Sequence, residues 1–136
     1  MTDSGVHVGG RSSRLTLPLA VLAGGFVGSL ARACLAAAFA VADGGFPWVT
    51  LIVNVLGSLV IGWYLARRER SVTSRWSLHF WAIGALGSFT TFSAFSVEVV
   101  ELIDGGARGL AASYVIASMV LGLVAAWLGD RVGSAS

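Results

Sequence analysis

The chain has 136 residues, of which 56% are hydrophobic and only 12% are charged, and its mean hydropathy is +0.82. Soluble domains carry about 25% charged residues, so the composition excludes an ordinary soluble protein and is typical of membrane proteins. The net charge of +2 is too small to indicate nucleic-acid binding. The single cysteine, Cys34, excludes a disulfide framework and is expected to be a small buried residue.

Residues 1–14, MTDSGVHVGGRSSR, are polar and rich in glycine and serine, so we expect a disordered N-terminal tail. A signal peptide is the alternative, because arginines precede an apolar run in which ACLAAAFA resembles a cleavage site. That run exceeds the roughly 7–15 residues of a signal-peptide core and contains an arginine, which disfavours the alternative. Residues 132–136 are expected to form a short C-terminal tail.

Four stretches between the tails are long enough to cross a membrane, which takes about 20 apolar residues. They cover residues 15–42, 48–66, 78–103 and 110–128. Short polar connections, DGGFP, RRERSVTSR and DGGAR, separate them and leave no room for a soluble domain. Because four spans are too few to close a barrel, the pattern predicts an all-α membrane protein with a four-helix transmembrane domain over residues 15–131.

The arginines indicate one orientation in the membrane. Seven of them lie in the tails and the second connection: Arg11, Arg14, Arg67, Arg68, Arg70, Arg75 and Arg131. Only Arg108 lies on the other side. Because cytoplasmic loops carry the excess of basic residues, we expect a multi-pass protein of the cell inner membrane with both termini in the cytoplasm.

Small and polar residues recur on one face of several spans. Gly24 and Gly28 form a GxxxG pair, which allows close approach of helices. Two further faces repeat every four residues: Thr50, Asn54, Ser58 and Gly62 on the second span, and Tyr114, Ser118 and Gly122 on the fourth. Helix packing and a wet path through the protein both fit these faces. An amide at mid-span needs partners or water, so Asn54 favours the path.

Arg32 lies inside the first span, where a central arginine costs about 2.5–3.5 kcal/mol on insertion scales. A structural role, as partner of a helix C-terminus or of Glu98, fits this position. A functional role, as an anion-attracting or pore-supporting charge, is the alternative.

The stretch GALGSFTTFSAF, residues 84–95, places glycines and hydroxyl residues about 15 Å into the third span, at 1.5 Å per residue. Such residues are poor helix formers. We therefore expect the third helix to be broken at mid-membrane, where freed carbonyls can hold a cation. A kinked helix whose carbonyls bond to threonine hydroxyls is the alternative.

Phe92 and Phe95 are three residues apart and share a face of the helix that follows. The edges of aromatic rings are positive, so they can face a small anion without binding it too tightly to leave. Asn54, Ser93 and Ser118 can add N–H or O–H donors. The set predicts a polar anion path beside an electropositive centre, without naming the anion.

The stretches GGFVGSLARA, TLIVNVLGSLVIG and GALGSFTTFSAFSVE, in this order, resemble three motifs of the Fluc/CrcB fluoride channel family, and the resemblance covers the chain after the tail. GGFVGSLARA in the first span is similar to that family's GGxxGxxxR, and TLIVNVLGSLVIG in the second to its TLxVNxxGSFxxG. GALGSFTTFSAFSVE in the third is similar to GxxGGxTTFSTFxxE and is the most specific match.

The resemblance implies a channel that exports fluoride passively, built as an antiparallel dimer of four-helix subunits with two pores. It implies a structural sodium ion, which is not transported, held by the backbone carbonyls of Gly87 and Thr90. It further implies a fluoride pathway of Asn54, Phe92, Ser93, Phe95, Tyr114 and Ser118. Arg32 and Glu98 also match positions of the family motifs. We expect them to be structural or pore-supporting residues and assign them no more specific role.

Two residues depart from the family pattern. Ser88 replaces the second glycine of its GG pair, and Ala94 replaces a threonine, which removes a hydroxyl donor from the pathway. Equal conduction by every pore is therefore in question. The arginine bias also favours one orientation, so we hypothesise a dimer with an oppositely oriented homologue, beside the alternative of a dimer with itself.

Other functions fit less well. A small proton-coupled multidrug exporter needs an intramembrane acid, yet the first span carries Arg32 and no carboxylate. A non-conducting membrane scaffold would explain the small residues but not the glycine and threonine stretch with its ring pair. Neither His7 nor His79 has a nucleophile or metal cluster around it in the sequence, so we expect no enzyme.

Overall fold

The computed structural model describes residues 12–39, 45–70 and 74–135. Helix α1 covers Ser12–Ala38, α2 covers Trp48–Arg70 and α6 covers Arg108–Ala135. Between α2 and α6 lies the third span, Arg75–Asp104, which contains α3 (Arg75–Leu78), a π-helix (His79–Leu86), α4 (Gly87–Phe89) and α5 (Phe92–Asp104). All four segments are long and apolar enough to cross a membrane, which confirms the predicted all-α architecture.

The observed ends of the spans differ from the predicted ones by several residues. Helix α6 continues to Ala135, so residues 132–135 extend the last helix instead of forming a separate tail. The third span begins at Arg75 because the Ser74 hydroxyl caps it, accepting a hydrogen bond from the Ser77 N–H at 3.2 Å. Residues 1–11 of the predicted tail and 40–42 of the predicted first span lie outside the described residues.

A glycine pair forms the tight turn between α5 and α6. The N–H of Gly106 bonds back to the Ile103 carbonyl at 3.0 Å, and the N–H of Ala107 bonds to the Leu102 carbonyl at 2.8 Å. Gly106 has a φ of 81°, a left-handed conformation that glycine adopts without steric cost. The sequence DGGAR therefore ends one span and starts the next, as its composition predicted.

Helix α1 packs directly against the backbone of the third span. A Cβ on Gly24 would overlap the carbonyl oxygen of Phe80, and a Cβ on Gly28 would overlap that of Ala85. Gly84 completes the contact from the other side, since a Cβ there would lie 2.7 Å from the carbonyl oxygen of Val21. The predicted role of Gly24 and Gly28 in close helix approach is confirmed.

Helices α2 and α6 form the second close pair and run in the same direction. A Cβ on Gly62 would overlap the Ala126 carbonyl oxygen, and a Cβ on Gly129 would overlap that of Leu59. One turn earlier in both helices, the Ser58 hydroxyl would be in ordinary contact, at 3.8 Å, with a Cβ on Gly122. The small and polar faces of the second and fourth spans therefore face each other.

Much of the apolar surface is not covered by the chain itself. The buried core cluster is small: Leu51, Leu102, Ala111 and Tyr114. Large side chains such as Phe26 and Leu123 are about 70% and 74% exposed. Cys34 is also exposed, so the expectation that it is buried was wrong: the described residues do not cover its side chain. Such a surface suits a lipid environment or a partner subunit.

Tryptophan–arginine pairs mark one end of the molecule. The Arg67 guanidinium lies 5.5 Å from the ring centre of Trp63 on α2, and that of Arg131 lies 5.0 Å from the ring centre of Trp127 on α6. Aromatic residues with basic neighbours are typical of the membrane–water interface. The parallel helices α2 and α6 thus end at a common arginine-rich level.

We predict that Gly129→Ala destabilises the protein, because the added methyl meets the α2 backbone, which cannot move aside as a side chain can. The expected loss is about 1–3 kcal/mol of unfolding free energy, the usual cost of overpacking. Gly109→Ala in the same helix is the matched control, since nothing lies within 4 Å of a Cβ there. Unfolding in detergent, followed by tryptophan fluorescence, measures both; equal stability of the two variants would contradict the prediction.

Candidate functional site

Two extended residues, Thr90 and Thr91, lie between α4 and α5. Thr90 has a ψ of 153°, and Thr91 has a φ of −145° and a ψ of 122°. Helix α5 starts anew at Phe92, where the Thr91 hydroxyl caps it by accepting a hydrogen bond from the Ala94 N–H at 3.1 Å. The glycine, serine and threonine residues of this stretch favour such a conformation, because their helix propensity is low.

The side chain of Asn54, on α2, bonds to both backbone groups of Thr91. Its Oδ1 accepts a hydrogen bond from the Thr91 N–H at 2.8 Å, and its Nδ2 donates to the Thr91 carbonyl at 3.0 Å. Backbone polar groups that leave a helix inside an apolar environment need such partners. The sequence predicted that this amide needs partners, and the structure identifies the backbone of Thr91 as one of them.

Two carbonyls of this stretch lose their usual helical donors. In a continuous α-helix the Thr91 N–H would bond to the Gly87 carbonyl, and the Ala94 N–H would bond to the Thr90 carbonyl. Here the Thr91 N–H donates to Asn54 Oδ1, and the Ala94 N–H donates to the Thr91 hydroxyl. The carbonyl oxygens of Gly87 and Thr90 are therefore chemically suited to coordinate a cation.

Side-chain ligands offer no competing metal site in the part of the chain that the structure describes. Within residues 12–39, 45–70 and 74–135, no three His, Cys, Asp or Glu side chains lie close enough together to hold a metal ion. A sodium ion prefers oxygen ligands, and backbone carbonyls are the usual source of them in membrane proteins. Backbone oxygens such as those of Gly87 and Thr90 belong to this type of ligand.

Arg32, on α1, contacts the C-terminal end of α4. Its Nε donates a hydrogen bond to the Ser88 carbonyl at 3.3 Å. Of the two structural partners that the sequence left open, the helix C-terminus is therefore observed, whereas Glu98 bonds to other side chains. Gly25 leaves room for the side chain of Ser88, the residue that replaces a glycine of the family pattern. A Cβ on Gly25 would lie 3.2 Å from the Ser88 hydroxyl oxygen.

Glu98, on α5, accepts hydrogen bonds from two neighbouring helices. The Thr50 hydroxyl of α2 donates to Oε1 at 2.6 Å, and the Tyr114 hydroxyl of α6 donates to Oε2 at 2.6 Å. Thr50 is 8% exposed and Tyr114 is fully buried. The hydrogen-bonded side chains of Thr50, Glu98 and Tyr114 therefore link α2, α5 and α6 beside the core cluster. Thr50 was not predicted as a site residue, although its place four residues before Asn54 was a signal.

The aromatic rings form a chain from α5 towards the start of α2. The ring centres of Phe92 and Phe95 are 5.8 Å apart, and those of Phe95 and Tyr114 are 5.2 Å apart. The ring of Phe46 then meets Tyr114 edge-on at 5.4 Å. Phe95 packs against the core cluster, whereas Phe92 is 79% exposed. The two predicted ring residues are therefore neighbours in very different surroundings.

A cavity of about 400 Å³ lies between α2, the third span and α6. Its wall includes most of the predicted site residues: Asn54, Gly87, Thr90, Phe92, Phe95 and Ser118. The Ser118 hydroxyl oxygen is buried and has no hydrogen-bond partner among the described residues.

Two predicted pathway residues lie outside this wall. The exposed Ser93 places its hydroxyl 3.2 Å from that of Thr91, at the start of α5. Tyr114 is not part of the cavity wall, but its ring contacts that of Phe95, which is. The structure thus brings together Asn54, Phe92, Phe95 and Ser118 around one space and leaves Ser93 and Tyr114 beside it.

These features define a small multi-pass α-helical membrane protein with a cavity between its helices that is lined by rings and hydrogen-bond donors. A family model described as CrcB-like protein, Camphor Resistance (CrcB), matches residues 19–130. The chain belongs to this family.

Several relatives carry the name of a channel. The chain is 46% identical over 118 residues to "Fluoride-specific ion channel FluC" of Thermus thermophilus, covering 86% of this chain and 94% of that protein. It is 42% identical over 119 residues to the protein of the same name from Opitutus terrae, covering 85% and 90% of the two chains. "Fluoride-specific ion channel FluC 1" of Mycobacterium tuberculosis is 41% identical over 110 residues, covering 80% and 83%.

We predict that Tyr114→Phe lowers the unfolding free energy by about 1–3 kcal/mol, because it leaves a Glu98 oxygen without its donor inside the protein. The ring contacts with Phe46 and Phe95 are kept. Tyr64→Phe is the matched control: it removes a 2.9 Å bond between two hydroxyls, Tyr64 and Ser77, worth about 0.5–1.5 kcal/mol. Detergent unfolding compares the two variants, and a larger loss in Tyr64→Phe would refute the central role of Glu98.

Proposed function

We propose that this chain is a fluoride-specific ion channel that lets fluoride leave the cytoplasm passively and so lowers its toxicity. Membership of the CrcB-like family and the names of relatives that match most of the chain support this function. One structural observation carries it: Ser118, whose hydroxyl has no partner among the described residues, lines the same cavity as Phe92 and Phe95. A hydroxyl donor and positive ring edges are groups that attract a small anion.

The fluoride pathway that we propose uses donors and ring edges instead of a fixed positive charge. The Asn54 amide has two N–H groups, of which one bonds to the Thr91 carbonyl, so the second can face the cavity that Asn54 lines. Ser118 contributes its hydroxyl from the opposite wall. Neutral donors bind an anion weakly enough for it to leave, which conduction requires.

Ser93 and Tyr114 would extend this pathway beyond the cavity wall. The exposed Ser93 hydroxyl can continue the row of donors from Thr91. Tyr114 is fully buried, and its hydroxyl is used by Glu98, so its contribution is to hold the Phe95 ring in place. Thr50 and Glu98 then support the pore by fixing Tyr114, which agrees with the supporting place of Glu98 in the motif.

A structural sodium ion, which is not transported, is proposed at the carbonyls of Gly87 and Thr90. The redirected donors of Thr91 and Ala94 support this assignment, because they leave those two oxygens suited to a cation. A bound sodium would supply positive charge at the end of α4. We further propose that Thr90 and Thr91 form a break of the third helix at mid-membrane.

An antiparallel dimer is proposed as the conducting assembly. The 79% exposure of Phe92 beside the cavity supports a second subunit that completes the wall there. The arginine bias supports a location in the cell inner membrane with both termini in the cytoplasm. In an antiparallel dimer, the partner then has the opposite orientation. The partner would be a homologue whose arginine bias is reversed.

Fluoride efflux from liposomes tests the function. We expect Phe92→Ile and Phe95→Ile each to lower the efflux rate about tenfold or more, which corresponds to roughly 1.4 kcal/mol of lost stabilisation along the path. Phe26→Ile is the control, because Phe26 is also an exposed ring but lies on α1, away from the cavity. Absence of efflux from the unmodified protein, alone and with its partner, would indicate a scaffold and defeat the proposal.

Expression of this chain alone tests the partner. We expect it to insert in one orientation only and to give no fluoride conductance until a homologue of opposite bias is expressed with it. Replacing Arg67, Arg75 and Arg131 by glutamine should weaken the bias, allow both orientations and produce conductance without the homologue. Conducting dimers of the unmodified chain alone would show instead that it pairs with itself.

A further inference from the structure

The glycine contacts of α1 lead directly to Arg32. Gly24, Gly28 and Arg32 are four residues apart, so they lie along one face of the helix. The two glycines bring that face against the carbonyls of Phe80 and Ala85. One turn further on, the Arg32 side chain meets the next part of the third span and donates from Nε to the Ser88 carbonyl at 3.3 Å. This face of α1 therefore places the Arg32 guanidinium at the end of α4.

The end of α4 is a favourable place for a positive charge. The last carbonyls of a helix lack N–H donors and carry the negative end of the helix dipole. Ser88 would bond to the Phe92 N–H in a continuous helix, but the extended Thr90 and Thr91 separate those two residues. Arg32 supplies a donor in its place. This contact offsets part of the cost of burying an arginine in the membrane.

The contact also lies within the proposed cation site. Ser88 follows Gly87 directly and precedes Thr90 by two residues, so its peptide unit belongs to the short segment that carries both proposed sodium ligands. Asn54 holds this segment at its other end, through Thr91. Within the third span, the Thr90 N–H and hydroxyl bond back to the Leu86 carbonyl at 3.1 and 3.0 Å. The carbonyls of Gly87 and Thr90 lack their usual helical donors, so contacts from the neighbouring helices help to decide where they point.

We propose that Arg32 is a positioning residue for the sodium site: its bond to Ser88 holds the Gly87 and Thr90 carbonyls in the orientation that coordinates the ion. The inference rests on the proposed function, from which the sodium site is taken. Arg32 can affect the affinity for sodium in two ways, which have opposite signs. As an anchor, Arg32 strengthens sodium binding, whereas as a bare charge near the ion it would weaken it.

Sodium-dependent thermal unfolding of the purified protein distinguishes these effects without any measurement of conduction. The midpoint temperature is recorded while sodium replaces N-methylglucamine at constant ionic strength, and the half-saturating sodium concentration is obtained. For Arg32→Gln we expect that concentration to rise about tenfold or more, since a hydrogen bond to a charged donor is lost. Arg108→Gln, at the exposed start of α6, is the control and should leave it unchanged.

Arg32→Lys separates geometry from charge. Lysine keeps the positive charge but has no Nε–H on a planar group, so the anchor is lost and the half-saturating concentration should again rise. Unchanged or tighter sodium binding in Arg32→Gln, or wild-type binding in Arg32→Lys, overturns the proposal. So does an unmodified protein whose stability does not respond to sodium.

A measurement on the unmodified protein covers the case in which the variants do not fold. Solid-state NMR of labelled Arg32 Nε and Ser88 carbonyl should find the pair within hydrogen-bond distance in sodium, and separation of the pair in sodium refutes the contact. Fluoride efflux is recorded in parallel. Efflux without sodium-dependent stability overturns the role of Arg32 alone, whereas Arg32-dependent sodium binding without efflux overturns only the proposed function.

Discussion

The two hydrogen bonds between Asn54 and the backbone of Thr91 are the constraint on which the rest of the site depends. In a membrane, a residue that leaves a helix exposes an N–H and a carbonyl that no water can satisfy. A single amide side chain satisfies both, as a neighbouring strand would. Because Thr91 is fixed in this extended state, its hydroxyl can cap α5. The Thr91 and Ala94 N–H groups then donate to side chains instead of to the carbonyls of Gly87 and Thr90.

Glycine determines whether these long-range polar contacts can form. Gly24 and Gly28 bring α1 onto the third span, and Gly62 and Gly129 bring α2 onto α6. At such distances short side chains reach backbone on the neighbouring helix, so that small residues and polar contacts work together. The third span is thereby held from two sides, by Arg32 on α1 and by Asn54 on α2.

The cavity beside this stretch is lined by aromatic rings and hydrogen-bond donors, and a group of hydrogen-bonded polar side chains lies next to it. Phe95 connects the two regions, because it lines the cavity and its ring contacts that of Tyr114. Glu98 binds the Tyr114 and Thr50 hydroxyls, so a carboxyl is kept within hydrogen bonds behind the ring wall. Phe92 is exposed, so the cavity wall is incomplete within one chain. The second subunit of the proposed dimer would complete it.

The sequence by itself determined the four spans, the turn at DGGAR and the close approach at Gly24 and Gly28, because hydrophobic length and small-residue spacing are local properties. It also located the stretch in which Thr90 and Thr91 are extended, through the low helix propensity of its residues. Only the tertiary structure decided that Asn54 binds Thr91, that Arg32 binds Ser88, and that Thr50 and Tyr114 share Glu98. Those pairs are between 16 and 56 residues apart, and their partners depend on how helices rotate and slide against each other, which no local pattern encodes.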